Sequence, residues 1–223
     1  MVLVSAHRGG AGDDRSAENT LGAFEAAIDL GCDYVEFDVR FAADGTPVVS
    51  HAAVQVDQDV LVLDDVLALI RGRINAHVDL KVAGREVETV HRIVDALGTG
   101  SVVVTTAEDA SVRRLVAWAA EHAPGLLVGL SSSPRSADGR WHRLLARVES
   151  AFPRTRIRRS RATVVVAHRT LARWTLRGYA RRRGLPLLVW TVDRADELDR
   201  WMNDPATWMV TTNHPARAIA ARR

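Results

Sequence analysis

The sequence predicts an α/β fold, a (β/α)8 TIM barrel formed by a single domain over residues 1–223. Short apolar or β-branched runs alternate with helical patterns along the chain, which is typical of βα units and a parallel sheet. Eight such units can be counted, the number that closes a barrel of this class. The 47% hydrophobic content supplies the core of one domain, and the chain is short for two domains of ordinary size.

The predicted elements alternate from the N-terminus onward. We expect strands at 3–6, 34–40, 76–82, 101–105, 126–130, 163–167, 187–192 and 208–211. We expect helices at 21–30, 64–70, 86–97, 111–122, 171–182 and 195–201. Helix C-termini are indicated by four glycines that follow helical stretches, Gly31, Gly98, Gly125 and Gly184. Residues 131–161 are rich in Ser, Pro and Arg, and we expect a mobile surface loop there.

The basic residues are almost all arginine. Lys81 is the only lysine among 30 basic residues, so that 29 are arginine, a composition typical of a G+C-rich coding bias. The net charge of +3 therefore says little about partners, and we interpret the arginine runs at 154–161 and 181–183 as solvated faces. No stacking aromatic residues interleave with these runs, so no nucleic-acid partner is expected. The survival of one lysine indicates that Lys81 is functional.

No leader or membrane segment is expected. The N-terminus lacks a basic region followed by an apolar run and a small-residue cleavage site, and no apolar run approaches the roughly 20 residues that a bilayer requires. Cys32 stands alone, so no intramolecular disulfide can form, and we interpret it as a packing residue. The sequence thus predicts a cytoplasmic protein without stable membrane insertion, and it leaves the oligomeric state open.

Inward-facing carboxylates follow from the strand period of two. In the second strand, Glu36 and Asp38 alternate with apolar residues that face the helices, so both carboxylates point into the barrel. The third strand repeats the pattern with Asp79 and Lys81. Buried carboxylates take up protons unless a cation holds them ionised, and a site of oxygen ligands suits Mg²⁺ or Ca²⁺. The alternative is an ion-pair network without metal, in which Lys81 or Arg40 neutralises the acids.

Two histidines are expected at the mouth of the barrel, where the catalytic groups of this fold lie. His7 follows the first strand, and His51 ends an apolar run that returns after the turn at 42–46. Because imidazole titrates near neutral pH, such a pair can act as general base and general acid. The alternative interpretation of His51 is a packing residue in that run.

Seven short motifs, in their order along the chain, resemble the glycerophosphodiester phosphodiesterase family. They are Ala-His-Arg-Gly at 6–9, Glu-Asn-Thr at 18–20, Gly-Cys-Asp-Tyr-Val-Glu-Phe-Asp at 31–38, Asp-Gly at 44–45, Val-Val-Ser-His at 48–51, Asp-Leu-Lys at 79–81 and Trp-Thr-Val-Asp at 190–193. The chain is similar to a short form of this family, because it lacks the lobe that the family usually inserts after the second histidine.

The resemblance implies a hydrolase of lipid metabolism, a metal-dependent phosphodiesterase that cleaves glycerophosphodiesters to glycerol phosphate and an alcohol. It assigns one divalent cation, Mg²⁺ or Ca²⁺, to three residues, Glu36, Asp38 and Asp79. It assigns acid and base catalysis to His7 and His51, and binding of the substrate to Arg8, Lys81 and Trp190. Arg8 and Lys81 would hold the phosphate, whereas Trp190 would form a wall of the pocket or pack within the barrel. The expected partner is a small molecule, a glycerophosphodiester or a lysophospholipid.

The chain departs from the family pattern in several places. Ala52 stands where the family usually has an aspartate, and Asp79 where it usually has a glutamate. The last motif reads Thr-Thr-Asn-His-Pro at 211–215 in place of Thr-Asp-x-Pro, and we expect these residues to be structural, with His214 in packing or at the start of a helix. In the motif at 18–20, we expect the Asn or the Thr to cap the following helix.

Two alternative functions stay open. A barrel without the lobe is also similar to the phospholipase D and sphingomyelinase D toxins, lyases that release a cyclic phosphate, although the cysteines that brace their catalytic loop have no counterpart here. The other alternative is a catalytically silent barrel that binds phosphodiesters or a protein partner, which Ala52 and the short segment at 52–62 leave possible.

Overall fold

Eight parallel strands form a closed barrel in the computed structural model, which describes residues 1–54, 60–131 and 152–222. In their order around the barrel the strands are β1 (Leu3–Ala6), β2 (Tyr34–Phe41), β5 (Asn75–Leu80), β6 (Val102–Thr106), β7 (Leu127–Ser131), β8 (Val164–His168), β9 (Leu187–Trp190) and β10 (Met209–Thr212), which pairs with β1. Two short strands, β3 (Pro47–Val49) and β4 (Leu61–Val62), extend antiparallel from β2. The predicted (β/α)8 TIM barrel is confirmed.

Helices cover the outside of the barrel. They are α1 (Leu21–Asp29), α2 (Leu63–Ile70), α3 (Glu86–Leu97), α4 (Asp109–His122), α5 (Pro153–Ser160), α6 (Arg169–Leu171), a π-helical stretch (Ala172–Leu176) that continues into α7 (Arg177–Arg183), α8 (Ala195–Met202) and α9 (Pro215–Ala221). Short 3-10 turns lie at His7–Gly9, Arg15–Ala17 and Thr99–Ser101. The helix starts follow known capping rules: the Thr20 hydroxyl accepts the backbone N–H of Ala23, and Pro215 begins α9 directly after His214. These observations confirm the predicted roles of Thr20 and His214.

Strand β2 shows how the residue pattern sets the two faces of the sheet. Val35, Phe37 and Val39 are fully buried against the helices, and the rings of Phe37 and Phe24 lie 5.9 Å apart. The alternate residues Glu36 and Asp38 point into the barrel and are 3% and 1% exposed. The predicted period of two is therefore correct for this strand, and it directs both carboxylates to the interior.

An apolar layer fills the interior of the barrel below the polar residues. Its buried members are Tyr34, Val103, Val164, Val166, Leu188 and Met209. Packing is tight in this layer, since a Cβ atom on Gly129 of β7 would lie 2.3 Å from the Val166 side chain. The polar side chains near the C-terminal ends of the strands therefore pack above an apolar layer and face the C-terminal mouth of the barrel.

The segment 131–161 is the main correction to the predicted elements. Ser131 belongs to β7, and α5 occupies Pro153–Ser160, so a surface loop was wrong for both parts; the prediction for 132–151 lies outside the described residues. Arg156 in α5 is 9% exposed rather than solvated. Its guanidinium donates to Asp109 Oδ1 at 2.7 Å and to the carbonyl of Ala107 at 3.2 Å. An ion pair to α4 thus holds an arginine that the composition predicts to be in water.

Cys32 is a packing residue, as predicted. Its side chain is 8% exposed, and burial raises the pKa of the thiol to about 12. Among the described residues, no helix combines the length and the apolar character needed to cross a bilayer.

Candidate active site

The turn after β1 places two site residues at the mouth of the barrel. His7 and Arg8 begin the His7–Gly9 turn, and Arg8 adopts a left-handed conformation with φ 48° and ψ 36°. This conformation is unfavourable for a residue other than glycine, and here the Arg8 backbone N–H donates to Glu36 Oε2 at 2.8 Å. Gly9 follows with φ 90°, where a Cβ atom would lie 2.6 Å from the Ala23 side chain. The glycine lets the turn pack directly on α1.

Three carboxylates converge from β2 and β5. Glu36, Asp38 and Asp79 each bring one oxygen within 4.8 Å of the others. The parallel register explains the cluster, because the Cα atoms of Asp38 and Asp79 are direct partners across β2 and β5. The group of acids that the sequence predicts is therefore present as one acidic cluster.

Two basic side chains lie against this acidic cluster. Lys81 Nζ contacts Asp79 Oδ2 and lies 3.1 Å from Asp38 Oδ1. Arg8 Nε lies 3.0 Å from Asp38 Oδ2, and Arg8 Nη1 donates to Glu18 Oε2 at 2.6 Å. The predicted alternative partner of the acids, Arg40, instead donates to the backbone carbonyl of His51 at 3.0 Å. Lys81 and Arg8, but not Arg40, neutralise part of the acidic cluster.

The carboxylates of the cluster differ in pKa. Burial raises the pKa of Asp38, but the hydrogen bond from His51 and the charges of Lys81 and Arg8 outweigh it and hold that pKa well below its usual range. Burial, together with the charges of Asp38 and Asp79, raises the pKa of Glu36 well above its usual value. Burial also raises the pKa of Asp79. The two cations therefore leave Glu36 and Asp79 without full compensation.

His7 is fixed in one tautomer by residues from the other end of the chain. Asp193 accepts the side-chain N–H of Asn213 at 2.9 Å and its backbone N–H at 2.8 Å. The amide oxygen of Asn213 therefore faces His7 Nδ1, at 2.7 Å. An amide oxygen only accepts, so Nδ1 carries the proton and Nε2 is free on the side of Glu36, whose Oε2 is 3.9 Å away. Burial lowers the pKa of His7, which favours the neutral form.

His51 has a different environment. It follows β3, and its Nδ1 lies 3.2 Å from Asp38 Oδ2, while its side chain is 54% exposed. Because an ionised carboxylate only accepts, Nδ1 donates to Asp38. Nε2 is the ring nitrogen that remains for a substrate. His51 is thus not a packing residue. Its partner is Asp38, and position 52 offers only the Ala52 carbonyl, which accepts the Ser50 hydroxyl at 3.0 Å.

His77 is a third histidine in the barrel interior, below Asp79. It is 4% exposed, and burial lowers the pKa of its imidazole to about 3. Nδ1 lies 3.1 Å from the Ser5 hydroxyl, and Nε2 lies 3.3 Å from the Thr105 hydroxyl. Thr105 in turn donates to Asp79 Oδ1 at 3.0 Å. A neutral imidazole therefore links β1 to the acidic cluster.

A cavity of about 90 Å³ joins the two sides of the mouth. It contains all eight residues that the sequence predicts for the site, with five others, in the set His7, Arg8, Glu36, Asp38, His51, His77, Asp79, Lys81, Thr105, Ser131, Val166, Trp190 and Thr211. Trp190 meets the ring of His168 edge to face, with 5.9 Å between centroids. The cavity has room for a small polar group, so the rest of a larger ligand would lie outside it.

Sequence reasoning missed several supporting residues. Asn19 has φ 57° and donates to Asp38 Oδ2 at 3.3 Å, so it contacts the site instead of capping α1. Asn213 contacts His7 and is not merely structural. The motifs that contain Asn19 and Asn213 stood out in the sequence, but the residue that each one contacts lies far away along the chain. Glu18 was missed for the same reason.

The fold and the site define a (β/α)8 barrel whose mouth combines an acidic cluster, two histidines and two basic residues. The profile of the Glycerophosphoryl diester phosphodiesterase family matches residues 7–62, which include five of the eight predicted site residues. Over this segment the chain is similar to the glycerophosphoryl diester phosphodiesterase family.

Individual relatives agree with this family. A glycerophosphodiester phosphodiesterase of Caldanaerobacter subterraneus subsp. tengcongensis is 34% identical over 110 residues, 46% of this chain and 43% of that protein. A lysophospholipase D of Rattus norvegicus is 47% identical over 47 residues, 21% of this chain and 14% of that protein. The matched segments thus span less than half of these relatives.

A solved structure of similar fold extends over nearly the whole barrel. The phosphodiesterase of Oleispira antarctica, in complex with the product sn-glycerol-3-phosphate, has a TM-score of 0.72 and 19% identity, and the match covers 98% of this chain and 96% of that one. At this identity the likeness concerns the fold.

Proposed function

We propose that the protein is a metal-dependent phosphodiesterase that hydrolyses glycerophosphodiesters to glycerol phosphate and an alcohol. The observation that carries the proposal is the acidic cluster, with oxygens within 4.8 Å of one another, beside His7, His51, Arg8 and Lys81 in one cavity. The match to the family profile over residues 7–62 supports the reaction type, and the product bound to the Oleispira antarctica structure supports a glycerol phosphate product.

The residues present fit a divalent cation. Four carboxylates lie in the network around the site, Glu18, Glu36, Asp38 and Asp79, and they contact two permanent cations, Arg8 and Lys81. The fully ionised network would therefore keep two negative charges, which one Mg²⁺ or Ca²⁺ would balance. Burial raises the pKa of Glu36 and of Asp79, and the charges of Arg8 and Lys81 do not offset that effect. When bound, such an ion would act as a Lewis acid on a phosphoryl oxygen.

The side chains of this chain divide the remaining work. His7 Nε2, unprotonated and inward-facing, would take the proton of the attacking hydroxyl. His51, in its doubly protonated form with Nδ1–H donated to Asp38, would give its Nε2 proton to the alcohol as it leaves and become neutral. Arg8 and Lys81 would exchange part of their carboxylate contacts for the phosphate oxygens and stabilise the charge that develops on them. Trp190 would form the wall opposite the acids.

The nature of the attacking hydroxyl separates the proposal from its first alternative. Water would give a monoester directly, whereas a neighbouring hydroxyl of the substrate would give a cyclic phosphate, as in a phospholipase D-like lyase. The lysophospholipase D relative supports lysophospholipids as a second substrate class. The complete set of histidines and acids supports an enzyme rather than a silent barrel. We keep the predictions of a single domain and of a cytoplasmic location.

Phosphorus NMR of glycerophosphocholine, incubated with the protein and Mg²⁺ or Ca²⁺, tests the proposed function. We expect a monoester resonance that grows with time. A cyclic phosphate as the final product would favour the lyase, and an unchanged diester with both ions and with a lysophospholipid would favour the silent barrel. The His7→Ala protein, prepared in the same way, serves as the control for contaminating hydrolases.

A further inference from the structure

A buried series of side-chain hydrogen bonds runs from β1 to the acidic cluster through residues that the proposed mechanism does not use. Ser5, His77 and Thr105 are 0%, 4% and 2% exposed. Ser5 Oγ lies 3.1 Å from His77 Nδ1, His77 Nε2 lies 3.3 Å from Thr105 Oγ1, and Thr105 Oγ1 lies 3.0 Å from Asp79 Oδ1. The series therefore connects three strands and ends on one oxygen of Asp79.

The direction of every hydrogen bond in this series is determined by chemistry. The ionised Asp79 only accepts, so the Thr105 hydroxyl uses its single proton to donate to Asp79. Thr105 then accepts from His77 Nε2, which must carry the imidazole proton. His77 Nδ1 is consequently an acceptor, and the Ser5 hydroxyl donates to it. None of these three side chains can exchange its donor and acceptor roles unless its neighbours exchange theirs as well.

The two oxygens of Asp79 have different partners. Oδ1 accepts from Thr105, and Oδ2 contacts Lys81. The Lys81 side chain is 26% exposed and ends a flexible stem, whereas Thr105 is a buried, β-branched residue with few rotamers. Thr105 is thus the rigid contact of the carboxylate. A ligand oxygen must be held in a fixed orientation for metal binding, and the groups that hydrogen-bond to ligands supply this.

We propose that Ser5, His77 and Thr105 form a positioning relay that fixes the orientation of Asp79 for a divalent cation, with Thr105 as the contacting residue and His77 as the residue that sets the direction of its hydroxyl. The inference rests on the metal site of the proposed function. It concerns metal binding rather than the chemical step, so it can be measured without substrate.

The test is isothermal titration calorimetry of Mg²⁺ and Ca²⁺ with purified variants, with circular dichroism melting of each one. Thr105→Val removes the donor and keeps the shape, and we expect a 10- to 100-fold loss of affinity for the ion that the wild type binds, as is usual for such partners of metal ligands. Thr105→Ser keeps the hydroxyl and should bind within about threefold of wild type. Thr106→Val, a buried neighbour on the same strand whose hydroxyl accepts the backbone N–H of Glu108, should bind as the wild type does.

Ser5→Ala tests the far end of the relay. It leaves Thr105 and Asp79 intact but frees His77 to adopt the other tautomer, so we expect about a fivefold loss of affinity. In a relay that acts in series, Ser5→Ala combined with Thr105→Val should be no weaker than Thr105→Val alone. Ser5→Ala removes only one hydroxyl, so this arm remains informative if Thr105→Val does not fold.

Several results would overturn the inference. The positioning relay would be contradicted by wild-type affinity in folded Thr105→Val, or by equal losses of affinity in Thr105→Val and Thr105→Ser. Wild-type affinity in Ser5→Ala would contradict it as well. A wild-type protein that binds the ion but hydrolyses no phosphodiester would contradict the proposed function and leave the relay intact. A wild-type protein that binds neither ion would overturn the metal site and the relay together.

Discussion

The two sides of the barrel mouth have unlike chemistry. The side formed by β1, β2, β5 and β6 carries every ionisable residue that lines the described cavity, whereas β7 to β10 contribute Ser131, Val166, Trp190 and Thr211. The charged side also contains the segment that matches the family. The second side acts on the charged side through Asp193 and Asn213, which orient His7. The groups proposed for the reaction are thus concentrated in one half of the barrel, and the other half supplies shape and one orienting contact.

Among the changes predicted here, removal of divalent cations should lower the hydrolysis rate most. If the charged side works as proposed, EDTA should lower the hydrolysis rate at least about a thousandfold, because the ion is expected to supply several kcal/mol of transition-state stabilisation. The rate is measured by phosphorus NMR before chelation, in chelator, and after addition of excess Mg²⁺ or Ca²⁺. Full turnover in EDTA would favour the ion-pair interpretation of the acidic cluster.

Substitution of either histidine should have the second largest effect on the hydrolysis rate. His7→Ala and His51→Ala should each lower kcat at least about a hundredfold, as the loss of a general acid or base does. Circular dichroism should show an intact fold in both variants, and His122→Ala, on exposed α4 surface, is the matched control. Near-normal activity of His51→Ala would mean that the exposed histidine is dispensable and that only the buried one acts.

Lys81→Arg should lower kcat about thirtyfold although it preserves the charge. The ammonium lies between Asp38 and Asp79, where a compact charge fits and a planar guanidinium is too large. Burial opposes the charged form, but the two carboxylates outweigh it and raise the pKa of Lys81, so the residue is charged at neutral pH. Kinetics of Lys81→Arg and Lys81→Met are compared with wild type. Activity of the arginine variant within about threefold of wild type would mean that charge alone suffices.

Asn213→Ala should have the smallest of these effects, and it measures the contribution of the second side directly. Loss of the amide oxygen frees the His7 tautomer, so kcat should fall about tenfold with little change in KM. Asn203→Ala removes an exposed amide, far from the site, that donates to Asp199 in α8 and to the carbonyl of Ala221 in α9, and it should not alter kcat. Equal kcat values for the two variants would mean that the contact of Asp193 and Asn213 with His7 does not contribute to catalysis.

Local periodicity explains what the sequence could predict. The eight strands lie within two residues of their predicted ends, and the inward direction of Glu36, Asp38 and Asp79 follows from alternation within single strands. The α5 helix was not predicted because its arginines gave no apolar stripe, and its buried Arg156 is held by Asp109 in another helix.

Contacts between distant parts of the chain could not be predicted in the same way. The contact between His7 and Asn213 joins residues 206 positions apart, and the contact between Asn19 and Asp38 depends on a left-handed backbone at Asn19. Closure of the barrel brings β10 beside β1, and no local pattern at either end specifies that their polar residues meet. The motifs mark these residues, but only the folded chain assigns their partners.

Equilibrium metal binding tests the central claim most directly. Purified protein is stripped of metal, titrated with Mg²⁺ and with Ca²⁺ in a calorimeter, and then analysed for bound metal. One ion per chain should bind to wild type, and Glu36→Gln, which keeps the size of the side chain and removes its charge, should lose at least tenfold in affinity. Glu25→Gln, at a half-buried acid that pairs with Arg73 outside the barrel, should bind like the wild type. Absence of binding to wild type, or equal binding to Glu36→Gln, would contradict a metal site on the charged side of the barrel.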